Sequence, residues 1–127
     1  MNINPRFHRQ AMPSKTIDLA SGMRRLYTTD ESKAIEALRL LCETLEKDLL
    51  ILHAAQQKND TTAAIEILTT LQWALRFAGA PRLEIACKML YEKLKCAQDL
   101  SRLFALVYDE AILFIKQYQE LIRGKPG

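Results

Sequence analysis

The stripe running from Ile35 to Gln56 constrains this chain more than any other feature. Ile35, Leu38, Cys42, Leu45, Leu49, Leu52 and Gln56 recur at alternating steps of three and four, and Ala34 and Leu41 widen the band. A repeat near 3.6 residues per turn lays one apolar side along about six helical turns. A helix that long cannot bury such a stripe alone, so it demands partners of comparable length. Thr28-Thr29-Asp30-Glu31 precedes it, where a side-chain oxygen can accept from the orphan N–H groups and acids suit the positive end of the dipole. Lys58-Asn59-Asp60 closes it: Asn59 suits a left-handed C-cap and Asp60 can cap the next helix.

The partners are legible downstream. A third helix over about 61–78 turns Ala64, Ile67, Leu68, Leu71, Ala74, Leu75 and Ala78 inward. Gly79-Ala80-Pro81 breaks it, with Gly suited to C′ and Pro to the first position of a fourth helix, about 81–96. That helix buries Leu83, Ala86, Cys87, Leu90 and Leu94. A fifth opens at Asp99 or Ser101, carries Leu100, Leu103, Phe104, Val107, Ala111, Phe114, Tyr118 and Leu121, and ends at Gly124. A short first helix, roughly 15–27, is capped by Ser14 or Thr16 and weakened by Gly22. No alternating strand pattern competes. The expected fold is therefore all-α: an antiparallel up-down four-helix bundle with an additional short N-terminal helix. The expected organisation is a flexible basic leader at 1–14, the bundle at 15–123 and a C-terminal tail at 124–127.

Charge and chemistry then exclude function classes. The net charge of +3 comes from Arg6, Arg9 and Lys15; beyond residue 15 cations and acids balance. A surface able to hold nucleic acid is not evident. Cys42, Cys87 and Cys96 are odd in number and lack paired spacing, which suits a reducing compartment and buried thiols. His8 and His53 show no metal-ligand spacing, so neither metal nor cofactor is expected. The start lacks an apolar run, and no stretch approaches the roughly 20 apolar residues of a membrane span, so direct membrane insertion is not expected. Paired carboxylates, a phosphate loop and a catalytic triad are all missing, which argues against an enzyme. A cytoplasmic chain, preferentially monomeric, is expected, either independent or as the terminal domain of a membrane sensor.

From Ile17 onward the pattern resembles a histidine-containing phosphotransfer (HPt) domain. Such domains open on an Ile/Leu-Asp pair, here Ile17-Asp18, followed by a long helix ending in a charged turn with Asp. The next helix displays the active histidine in a His-x-Leu-Lys-Gly-[Ser/Ala] motif, followed by Gly-Ala, Leu and Cys. The stretch "TTLQWALRFAGAPRLEIACKML" supplies Gly79-Ala80, Leu83 and Cys87 at those intervals. Ten residues back from Gly79 stands Thr69. Leu71 and Ala74 match the motif, whereas Gln72 replaces its lysine and Trp73 its glycine.

The resemblance covers roughly residues 17–122 and implies two-component signalling, with a receiver domain or a histidine kinase as partner. The departures imply binding without phosphate, because Thr69 has no nucleophilic nitrogen and Gln72 no charge. Thr62, Glu66, Thr69, Gln72, Trp73 and Arg76 share one helix side. Trp73 and Arg76 are docking candidates of the types enriched at hot spots, although Trp73 could instead pack on the first helix or the leader. Arg82 is the further candidate for facing a receiver. His53, the outsider as an unusual phosphate acceptor, is followed by Gln56 and Gln57 rather than by the motif lysine and glycine. A structural or adaptor bundle with an unrelated partner is the alternative function.

Overall fold

The structure is a computed structural model and describes residues 12–96 and 99–124. Among the described residues five helices follow one another: α1 (Leu19–Arg25), α2 (Glu31–Gln57), α3 (Thr61–Phe77), α4 (Pro81–Lys93) and α5 (Ser101–Arg123). The long helices α2 to α5 form the expected bundle, each packed on its neighbours in chain order, with α5 closing against α2. α1 lies across the bundle against α2 and α3. No strand occurs among the described residues. Most of the expected leader and the last three residues of the tail lie outside the described residues.

The helix ends obey the local chemistry. Asp30 accepts from the Ser32 amide at α2, and Asp60 from the Ala63 amide at α3. Pro81 opens α4 at its first position. Asn59 stands at φ 52°, and the Asp60 amide reaches the Ala55 carbonyl while Asn59 reaches Gln56. That pair of bonds is a Schellman motif. A second one ends α1: the Thr28 amide reaches Met23 and the Tyr27 amide Arg24, with Tyr27 at φ 53°.

The core is the meeting of the predicted stripes. Leu38, Leu41, Leu45 and Leu52 of α2 pack with Leu68, Leu71 and Leu75 of α3, Leu83 and Leu90 of α4, and Val107, Ala111 and Phe114 of α5. The centre of the α2 face is rotated slightly from the expected line: Ala34, Leu41 and Ala55 are buried, while Ile35, Cys42 and Leu49 lie at its edge. Ala74, expected inward, is exposed. Its methyl is small enough for either environment, so sequence type alone does not place it.

Other departures have local causes. α1 begins at Leu19 because Asp18, not Ser14 or Thr16, caps it by accepting from the Ser21 amide at 3.1 Å. Thr16 is buried instead. Gly79 does not serve as a left-handed cap. It permits contact: a Cβ there would sit 2.1 Å from the Asp18 carbonyl oxygen. The Asp18 amide donates to the Gly79 carbonyl at 2.8 Å, and a Cβ on Gly22 would meet the Gly79 nitrogen at 3.2 Å. The two glycines therefore let α1 seat directly on the α3–α4 break. α4 ends at Lys93, short of residue 96, and leaves Cys96 exposed rather than buried. Cys87 is fully buried, and burial pushes its thiol up to about 12.

Candidate functional site

The outward side of α3 is fixed by its inward side. With Ala64, Ile67, Leu68, Leu71 and Leu75 buried, helical geometry turns Glu66, Thr69, Thr70, Trp73 and Arg76 to solvent. Gln72 sits half-buried at the margin. Six of the seven residues singled out from the sequence thus lie on this one helix side or its margin: Thr62, Glu66, Thr69, Gln72, Trp73 and Arg76.

Their geometry limits their chemistry. The Thr69 hydroxyl donates to the Ile65 carbonyl of its own helix at 2.8 Å. Thr70 does the same towards Glu66 at 3.2 Å. Such back-bonding holds the hydroxyl along the helix wall. No base is bonded to Thr69 that would raise its nucleophilicity. Trp73 is 61% exposed, and the Arg76 guanidinium lies over its ring at 4.9 Å from the centroid. The pair forms a cation–π contact that holds a flat apolar ring and a cation side by side in water.

Arg82 is placed differently. Its Nε and Nη2 donate to the two carboxylate oxygens of Glu110 at 2.9 and 2.8 Å. Its Nη1 donates to the Pro13 carbonyl at 2.8 Å. The bidentate pair is largely buried, with the Glu110 side chain only 7% exposed. Arg82 is thereby committed to joining α4, α5 and the segment before α1. In the sequence Glu110 reads as a polar interruption of an apolar run; with Arg82 as its partner it is part of the interior.

The structure adds residues that sequence reasoning did not place here. Arg25 of α1 donates through Nη1 to the Arg76 carbonyl and to Glu84 Oε1, each at 2.8 Å. It satisfies an orphan carbonyl at the end of α3. Phe77 is 43% exposed one turn beyond Trp73. Tyr27, beyond α1, is 96% exposed. The adjacent Arg24-Arg25 pair followed by an aromatic is the only signal the sequence offers for this extension.

His53 belongs to another side of the bundle. It is exposed on α2, its ring edge-on to Tyr108 at 6.0 Å and its Nε2 3.3 Å from Gln57 Nε2. Tyr108 is in turn anchored by donating to Gln56 Oε1 at 2.8 Å. His8 lies outside the described residues. Among the described residues no cluster of three potential metal ligands occurs, and no helix is long and apolar enough to cross a membrane.

Comparison with known proteins gives one informative likeness. The solved HPt domain of a sensor hybrid histidine kinase from Shewanella superposes with a TM-score of 0.78. The match covers 88% of this chain and 97% of that one at 17% identity. No family model and no curated protein matches the chain. At this identity the likeness establishes the fold, an HPt-type helical bundle, and leaves function to the residues on its surface.

Proposed function

We propose that this chain is an HPt-like signalling module that docks on a receiver domain or a histidine kinase without itself carrying a phosphoryl group. What carries the reading is the α3 side reached by counting back from Gly79. In an HPt domain an imidazole would stand there; here Thr69 stands there, its hydroxyl bonded to its own helix. A phosphoryl group leaving an aspartyl phosphate needs a nucleophile with a lone pair directed outward, and a threonine of this kind without a base is a poor one. The lysine that would offset the phosphate charge is replaced by Gln72, and Trp73 fills space that a glycine would leave open. The face keeps the means to bind, in an exposed aromatic stacked by an arginine, and lacks the means to transfer.

The test has two arms. Mixed with a phosphorylated receiver domain, the protein acquires no acid-labile phosphate. Purified receivers and kinase domains from the same genome are screened in parallel, and Trp73→Ala weakens any binding by at least about tenfold. Phosphohistidine at His53 would overturn the reading. The combined Thr69→His, Gln72→Lys and Trp73→Gly variant checks the alignment, because it should accept phosphate if residue 69 occupies the family position. The competing reading, an adaptor bundle with an unrelated partner, is favoured if no receiver or kinase binds at all.

A further inference from the structure

We propose that α1 and the C-terminal half of α3 form one composite docking surface, and that its partner is an acidic protein face carrying an apolar ridge. The inference rests on the reading of α3 as a docking helix and extends it to α1 and to the partner's chemistry. Tyr27, Trp73 and Phe77 supply the apolar contacts; Arg24 and Arg76 supply the cations.

Arg25 makes the surface continuous. By bonding the Arg76 carbonyl and Glu84 it ties α1 to the end of α3, which brings Arg24 and Tyr27 to the end that carries Trp73, Arg76 and Phe77. Arg25 is thus a positioning residue for the surface.

Tyr27 is the second, independent observation. The Schellman position it occupies favours glycine or asparagine, and the matching motif after α2 has Asn59. A bulky residue at φ 53° is strained. With its side chain 96% exposed, packing within the chain does not repay that strain. A costly conformation that holds an aromatic ring in water points to a contact made outside the chain.

Charge identifies the partner. Residues 19–29 contain Arg24 and Arg25 and no acid, and residues 67–83 contain Arg76 and Arg82 and no acid; with Arg25 bonded to Glu84 and Arg82 to Glu110, Arg24 and Arg76 are the cations left to face a partner. Of the acids that bound these stretches, Glu84 is bonded to Arg25, Asp18 and Asp30 cap α1 and α2, and Glu66 lies two turns before Trp73. Planar guanidinium groups beside aromatic rings match carboxylates bounded by apolar side chains. A nucleic acid or an anionic bilayer would call for a broader array of cations than this surface holds.

Trp73 is the only tryptophan in the chain, so its emission reports on this surface directly. Three probes are compared: a tryptophan-free amphipathic helical peptide with Glu and Asp on one side and Leu and Phe on the other, its lysine counterpart, and phosphatidylserine vesicles. The acidic peptide shifts Trp73 emission, and its binding weakens with added salt. Arg24→Glu or Arg76→Glu reduces its affinity by about tenfold. Tyr27→Gly also reduces it, with the helical circular dichroism signal intact. The proposal is overturned if the two peptides bind alike, if charge reversal changes affinity by less than about twofold, or if only vesicles move the emission. If the acidic peptide binds as described but no receiver or kinase does, the signalling reading fails and this surface stands. If a receiver binds but ignores Arg24→Glu and Tyr27→Gly, this surface fails and the signalling reading stands.

Discussion

At the scale of single residues, steric detail decides what composition leaves open. A Cβ on Gly79 would lie 2.1 Å from the Asp18 carbonyl oxygen, so Gly79→Ala forces backbone apart where α1 meets the bundle. The expected cost is about 3 kcal/mol in urea unfolding. Gly124→Ala is the control: its nearest neighbour would be the Glu120 carbonyl at 3.6 Å, and the change should lie within about 0.5 kcal/mol of neutral. Tyr27→Gly runs the other way. Relief of the left-handed conformation outweighs the entropy gained by the unfolded chain, giving a rise of about 0.5–1 kcal/mol. A fall in stability would mean that the exposed ring packs after all. The outward position of Thr69 was legible from helical periodicity, because it depends only on spacing. The Arg82–Glu110 pair was not, because its partners are separated by 28 residues and pairing at that range leaves no local pattern. Neither was the backbone of Tyr27, since the sequence there suggests no glycine-like turn.

At the scale of elements, the helix starts carry a dependence on pH. Asp30 and Asp99 each accept from a serine two residues on, through its side chain and its amide. The Ser32 and Ser101 hydroxyls, followed by the same residues' amides, hold the two carboxyls below their ordinary value of 3.8. A group whose value is lower when folded stabilises above its unfolded value and loses that contribution as pH falls through the folded one. The first turns of α2 and α5 should therefore lose amide protection as pH drops below 3.8, measured by hydrogen exchange. Asp30→Ala should abolish the acid response of α2 and leave that of α5. Element existence and order were readable because each long helix carries its own stripe and breaker. Boundaries drifted where two capping residues competed, as at α1, where Asp18 displaces Ser14 and Thr16 because its carboxylate reaches the Ser21 amide.

At the scale of the whole molecule, the bundle separates what folds from what binds. The buried leucines of four helices form the interior, while the only tryptophan stands outside it at 61% exposure. Unfolding followed by circular dichroism should show a cooperative loss of helix, whereas Trp73 emission should shift little because the ring is already largely hydrated. A strongly blue emission in the native protein would contradict the exposed ring and the docking surface built on it. The architecture was legible because an amphipathic 27-residue helix admits few packing solutions. The joining of α1 to α3 was not, since it depends on one arginine reaching a distant carbonyl.

The seat between residues 18 and 79 has a practical consequence for protein engineering. Because the helix before the break is clamped to the segment ahead of α1, its azimuth is set from outside itself. A designer who transplants residues 61–77 alone into a foreign scaffold would carry the side chains but lose their aim. Keeping that aim requires residues 18 through 84, both glycines included, together with the α4 and α5 residues that complete the core.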